Sequence, residues 1–324
     1  MTNILQKKEI PVVFAVDDNY APFLAVALNS ILKNLSAQYF LKVYVLNTGL
    51  SKSNEERIIK LAEEYSSDVD VEYIDVTKRL DGLQEKMHLR DYYTKAIYYR
   101  IFIPSLFPNF DKIIYVDCDI VLLTDISELY NEELGDNIIG AVHEEAMTSY
   151  DCFGRYSEEF LDVPRLNYFN SGLLVINTKE YQKQNVEKKF IDLMLKHKFE
   201  VAPDQDYLNV VCKDKVKYLD IGWNKTPIPE KEFSDSDLKL IHYKLNFKPW
   251  LYKGVRYEEY FWKYAKDTPF YKDLLAMRNG YTDKEKERDS LAFTNLQQMA
   301  INYINSENNY KNLKLKEESN AIWI

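Results

Sequence analysis

Apolar residues follow two rhythms along this 324-residue chain. Through the first half, short β-branched and aromatic runs alternate with stretches whose apolar positions recur at helical spacing, the signature of parallel βαβ units. The runs PVVFAV (11–16), LKVYVLN (41–47) and VDVEYIDV (69–76) read as strands. Between the first two, Pro22 opens a helix with Leu24, Leu28, Ile31 and Leu35 on one face. Ahead of the third, Ser53 and Glu56 form a capping box that starts a helix carrying Ile58, Ile59, Ala62 and Tyr65. A helical stretch over 94–107, interrupted at Pro104, leads into KIIYVDCDIVLL (112–123), the most apolar run and the expected central strand. Further strands are expected over 137–144, 167–177 and 239–243, with a helix near 179–197 and a short one starting at Asp204.

Past about residue 251 the strands cease. There Leu291, Leu296, Met299, Ala300, Tyr303 and Ile304 share one helix face. The expected fold class is therefore α/β, a mixed, mainly parallel sheet flanked by helices over 1–250, followed by a helical appendage over 251–324. The aromatic cluster Tyr257, Tyr260, Phe261, Trp262 and Tyr264 opens that appendage. Core packing is its favoured reading, and the functional alternative is an acceptor platform or a peripheral membrane contact.

Composition narrows the function classes. A formal net charge of -9 argues against nucleic acid, since phosphate recognition needs a basic surface. The three cysteines, Cys118, Cys152 and Cys212, are odd in number and widely spaced, which points away from disulfides and thiolate zinc sites. No segment approaches the roughly 18 apolar residues that span a bilayer, and the opening MTNILQKKEI lacks a signal-peptide core. A cytoplasmic location is the expectation, with association at the inner membrane face as its variant. The 26 tyrosines against 9 glycines suit ligands that need both a stacking face and a hydroxyl partner.

Asp-x-Asp occurs four times, at Asp68/Asp70, Asp117/Asp119, Asp204/Asp206 and Asp235/Asp237, so context must discriminate. Asp235/Asp237 in FSDSD and Asp68/Asp70 at a strand start read as solvated turns. Asp117 and Asp119 directly follow IIYV, and two carboxylates at the carboxyl end of a buried strand need something positive to meet them. Ligands of open α/β sheets bind at that end. A divalent cation, Mn²⁺ or Mg²⁺, with open positions for diphosphate oxygens is the matching partner, against a surface turn or helix cap.

Six segments in order, FAVDDNY (14–20), YYRIFIPSLFP (98–108), YVDCD (115–119), YFNSGLLVIN (168–177), DQDYLN (204–209) and HYKLNFKPW (242–250), resemble the motifs of the retaining glycosyltransferases of family eight. The resemblance spans roughly 10–250 and implies a GT-A fold and a UDP-sugar donor. It assigns Ala15, Asp17, Asp18, Asn19 and Tyr20 to the nucleotide pocket, with Asp17 facing the uracil ring. Arg100 reaches the donor, the alternative being a surface ion pair. Asp117 and Asp119, with Cys118 between them, hold the metal, and His242 is its third ligand, favouring Mn²⁺ over Mg²⁺. Asn170, Asp204 and Gln205 line the donor sugar and the reaction centre, although Asp204 also reads as an N-cap. Glu144 stands where the family often has aspartate. The family pattern His-x-x-Gly-x-x-Lys-Pro-Trp is broken by Leu245 in the glycine position, with Lys248, which neutralises diphosphate charge, intact beside Pro249 and Trp250.

The resemblance thus implies a metal-dependent hexosyl transfer from a UDP-sugar to a glycan, lipid-linked glycan or other hydroxyl acceptor, as in lipopolysaccharide or cell-surface glycan biosynthesis. Gln205 is a poor nucleophile, so front-face attack and a covalent intermediate both stand. Three rivals are an inverting transferase, a nucleotidyltransferase releasing pyrophosphate, and a nucleotide-sugar-binding protein with little turnover.

Overall fold

The structure, a computed structural model, describes residues 7–65, 68–89, 94–228, 233–307 and 309–321. Nine strands form among them: β1 (Lys8–Ala15), β2 (Tyr39–Asn47), β3 (Val69–Asp75), β4 (Lys112–Val116), β5 (Ile120–Leu122), β6 (Ile139–His143), β7 (Phe169–Asn177), β8 (Val216–Tyr218) and β9 (Leu240–His242). Seven make one sheet in the order β3-β2-β1-β4-β7-β6-β8, while β5 and β9 pair separately. The β1–β2, β2–β3, β1–β4 and β6–β8 pairs run parallel, and β7 runs antiparallel to both of its neighbours. The sheet is therefore mixed and mainly parallel, as expected, with β4 at its centre.

Alternation along the central strands builds two apolar layers. Val12, Phe14, Ile114 and Val116 face one, and Val13, Ile113 and Tyr115 face the other. The helix Ala21–Asn34 fills the first layer, with Pro22 in its opening turn. Because β1 leads outward to β2 on one side and pairs with β4 on the other, the carboxyl ends of β1 and β4 flank a topological switch point, where a crevice forms.

Several expectations are corrected. The run 112–123 is two strands in two sheets, because Asp117, Cys118 and Asp119 leave the ladder between β4 and β5. Ser51 rather than Ser53 starts the second helix, Lys52–Tyr65: its carbonyl accepts from Glu55 N and its hydroxyl from Asn54 N. The stretch 94–107 is a 3₁₀ helix, Lys95–Phe102, continued by a short α-turn that Pro104 opens rather than breaks. The segment 179–197 is two helices, Thr178–Lys183 and Val186–Lys196, separated where Asn185 turns left-handed at φ 53°. The helix expected from Asp204 is Pro203–Val211, with Ala202 at its N-cap, so Asp204 is not the cap.

After Tyr257 the described residues form four helices, Glu258–Ala265, Tyr271–Gly280, Asp283–Ile304 and Tyr310–Ala321, joined by short turns. Phe261, Tyr264, Ala265, Phe270 and Leu274 enter the first apolar layer, and Leu296, Ala300 and Tyr310 the second. Of the aromatic cluster, Tyr257, Phe261 and Tyr264 are buried and Tyr260 and Trp262 pack partly buried against the same layer, which is the core reading. In the helix Asp283–Ile304, Leu296 and Ala300 face inward, but Leu291 is 60% exposed and off the expected face. No helix of the described residues is long and apolar enough to cross a membrane.

Candidate active site

Ladder register brings the site together. β5 pairs antiparallel with β9 so that Ile120 faces His242, and Tyr243 N donates to Asp119 O at 2.9 Å. Where β4 leaves β7, Asp117 N donates to Gly172 O at 2.8 Å. Side chains 125 residues apart in the chain, Asp117 and His242, thus meet beside Gly172. Asp117, Asp119 and His242 offer ligand atoms that all lie within 4.8 Å of one another.

The imidazole is aimed. His242 Nε2 lies 3.2 Å from Asp119 Oδ1 and 3.8 Å from Asp117 Oδ2, while Nδ1 is 2.9 Å from Asn224 Oδ1. Asn224 in turn donates through Nδ2 to Asn170 Oδ1 at 2.9 Å, which fixes its amide with the oxygen toward His242. A proton on Nδ1 then leaves Nε2 as the ligating atom. Gly172 completes the cradle: a Cβ there would fall 2.3 Å from His242 Cε1 and 2.6 Å from Asp117 Oδ2. Two carboxylates and one imidazole, brought together where only glycine leaves room beside them, fit a divalent ion such as Mn²⁺.

Cations already neutralise the pair. Arg100 Nη2 donates to Asp117 Oδ1 at 2.9 Å and Arg100 Nε lies 3.3 Å from Asp204 Oδ2, while its Nη1 donates to Ser171 Oγ at 3.0 Å. Its side chain is 3% exposed, which rules out the surface ion pair. Tyr115 adds its hydroxyl to Asp117 Oδ1 at 2.5 Å. Lys248 Nζ, expected on a diphosphate, lies 3.0 Å from Asp119 Oδ2. Burial raises the pKa of Asp119, but Lys248 and His242 outweigh it and hold the group well below the usual carboxylate range. For Asp204 burial wins over Arg100, and its pKa rises.

Two clefts meet at Ile97, Arg100, Asp117 and Asp119. The first is walled by Ala15, Asp17, Tyr20, Tyr115 and Cys118, among others. Asp17 caps the 3₁₀ turn Asp18–Tyr20 by accepting from Tyr20 N at 3.1 Å. Cys118 is buried, with its thiol 3.5 Å from Ala15 O and its pKa pushed up by burial. Asp18 is turned elsewhere, accepting from Ser51 N at 2.8 Å and Asn54 Nδ2 at 2.9 Å, and Asn19 is exposed and borders a different cavity.

The second cleft holds Glu144, Asn170, Asp204, Gln205, His242, Lys244 and Leu245. Gln205 Oε1 accepts from Ser171 N at 2.9 Å. Glu144 binds Lys244, accepts from Asn170 Nδ2 at 2.6 Å and from Ala146 N at 3.0 Å. Burial works against its charge, yet Lys244 and these donors hold its pKa down to about 2. Leu245, in the glycine position of the motif, adopts the left-handed backbone at φ 53°. The loop keeps the conformation that glycine would allow, at a cost of about 1 kcal/mol for a leucine.

Sequence reasoning missed Asn224, Ser171, Tyr115 and Lys244, which orient or neutralise the expected residues. All but Asn224 stood within motifs already singled out, Tyr115 in YVDCD, Lys244 in HYKLNFKPW, and Ser171, with Gly172, in the FNSG that opens β7.

The sheet, the crevice at its switch point and the paired aspartates define a glycosyltransferase of GT-A architecture. Residues 11–254 match the model of glycosyl transferase family 8, and the chain belongs to that family. It is 30% identical over 269 residues to general stress protein A of Bacillus subtilis, covering 76% of this chain and 89% of that protein. With a lipopolysaccharide 1,2-glucosyltransferase of Escherichia coli it shares 29% identity over 261 residues, 76% and 74% of the two chains. The apo structure of the bifunctional glycosyltransferase WbbM superposes with TM-score 0.73 at 25% identity, over 86% of this chain and 53% of that one, so this chain spans about half of that protein. The galactosyltransferase LgtC, solved with donor and acceptor sugar analogues, superposes with TM-score 0.66 at 22% identity over 80% of this chain and 96% of that one, a likeness of fold.

Proposed function

We propose that this chain transfers a hexosyl group, with retention of anomeric configuration, from a UDP-sugar to a glycan or lipid-linked glycan hydroxyl. The observation that carries the reading is the convergence of Asp117, Asp119 and His242, from three separate strand ends, on the junction of the two clefts. Residues 1–250 form the donor-binding and catalytic part, and Tyr20 and Asp17 hold the nucleobase. Asp117, Asp119 and His242 would hold a divalent ion, which would supply Lewis-acid stabilisation of the charge on the leaving diphosphate.

Chain residues do the rest. Arg100, pinned between Asp117, Asp204 and Ser171, holds the carboxylates in place and adds positive potential at the bond being broken. Glu144 is ionised at neutral pH and orients Asn170 and Lys244 toward the transferred sugar. Gln205 carries no charge, and its amide oxygen is already accepting from Ser171 N, which favours direct front-face attack by the acceptor hydroxyl over a covalent intermediate. The proton of that hydroxyl then leaves with a phosphate oxygen.

The test is a panel of UDP-sugars incubated with purified protein and Mn²⁺ but no acceptor. Slow release of UDP from one sugar, abolished by chelation, is the expected result; absence of UDP binding with or without Mn²⁺ overturns the reading.

A further inference from the structure

A third cavity adjoins the reaction cleft, and Leu245 and Leu296 line both. Leu245 comes from the loop after β9, whereas Leu296 lies on the helix Asp283–Ile304, beyond the residues that match the family. The helix is held there by apolar contact: Phe293 packs edge-on against Tyr150 at 5.2 Å and Phe153 at 6.2 Å, and Phe153 itself lines the reaction cleft.

The walls of this cavity combine rings with neighbouring charges. Trp250, Tyr252, Tyr281 and Phe293 contribute rings on the helical side and Arg288 and Asp289 charges, while Lys248 adds a third charge and Tyr20 is shared with the first cleft. Tyr252 and Tyr281 meet edge-to-face at 5.6 Å, and both hydroxyls donate to Asp289 Oδ2, that of Tyr252 at 2.8 Å. Arg288 Nη2 lies 3.7 Å from Asp289 Oδ1. A carboxylate steered by two phenols, beside a guanidinium and framed by aromatic faces, suits a ligand with C–H faces and many hydroxyls. A purely apolar ligand would take water from the Asp289 carboxylate, 22% exposed, and give it no new partner.

We propose that this cavity binds the part of a saccharide acceptor that lies beyond the sugar being glycosylated, so that the enzyme takes oligosaccharides in preference to single sugars. The proposal rests on the glycosyltransferase reading of the Asp117, Asp119 and His242 site. It assigns acceptor choice to the C-terminal helix, and makes Leu245 and Leu296 the neck through which the acceptor chain passes.

The experiment probes the full chain, loaded with Mn²⁺ and UDP, on a glycan array printed with mono- to hexasaccharides. Retention of one group of oligosaccharides, without their terminal monosaccharides, is expected. Arg288→Ala, at a side chain 70% exposed, and the isosteric Asp289→Asn each weaken retention about tenfold while UDP affinity stays within about twofold. Equal retention of single sugars, retention unchanged in both variants, or no saccharide retained overturns the proposal. So does a loss of UDP affinity in Arg288→Ala, which assigns the cavity to the nucleotide, since Asn19, Tyr20 and Lys248 also line it. Failure of the underlying reading shows separately, as absence of UDP binding by the wild type in the same preparation.

Discussion

Asp117/Asp119 and Asp204/Asp206 share one spacing and have opposite fates. Residues two apart on a helix point to different sides, so on Pro203–Val211 Asp204 lines the reaction cleft and Asp206 turns into the core. There the Asp206 carboxylate accepts from Tyr156 and Tyr168 hydroxyls at 2.9 and 2.5 Å and from Ala202 N at 2.9 Å. Asp117 and Asp119 instead sit where one strand has ended and the next begins, and both reach the same point. Asp119 faces Lys248 and His242, and Asp117 faces Arg100. A carboxylate served by hydroxyls and amides of the fold stabilises packing; a pair served by cations at a cleft junction is available to a ligand of higher charge.

Substitutions can break or sharpen this contrast. The largest effect is expected from Asp117→Asn, which removes a ligand charge: UDP-sugar turnover should fall at least about a thousandfold, and Mn²⁺ binding followed by electron paramagnetic resonance should weaken, with the urea midpoint little changed. Asp206→Ala should do the reverse. Leaving two buried hydroxyls and an N–H without their acceptor costs about 3 kcal/mol in urea unfolding, while Mn²⁺ affinity in the folded protein persists. If both variants lose metal equally, the distinction between the two pairs fails.

Asn224→Ala frees His242 Nδ1 and should weaken Mn²⁺ about 10- to 100-fold, the usual consequence of losing a partner behind a metal ligand. The smallest effect belongs to Leu245→Gly. Relief of about 1 kcal/mol of left-handed strain, less roughly 0.5 kcal/mol of glycine's added chain entropy, leaves a slight gain in thermal stability. A marked loss would show that the Leu245 side chain is itself a packing element of the neck.

Much of the architecture was legible because burial imprints a period on each segment. The β1, β2 and β3 runs were read to within three residues at their ends, and YVDCD and HYKLNFKPW carried the two aspartates and the histidine that converge. Capping was read less well: Ser53 with Glu56 has the right spacing, but Ser51 two residues earlier meets the free N–H groups. Apolar content also misled at 112–123, since hydrophobicity reports that a stretch is buried and not that it stays in one sheet. The place of Lys248 beside Asp119, 129 residues away in the chain, had no local signal, because it depends on how distant segments dock.

By itself the sequence determined the alternation of strands and helices, the aspartates placed just past a buried strand and the motifs of the family, because each is a property of neighbours in the chain. Tertiary structure alone decided that His242, Asn224 and Gly172 converge on those aspartates, that Leu245 holds a left-handed turn, and that Leu296 from the last third of the chain walls the reaction cleft. Those outcomes depend on strand register and helix docking between distant segments, and no local period encodes them.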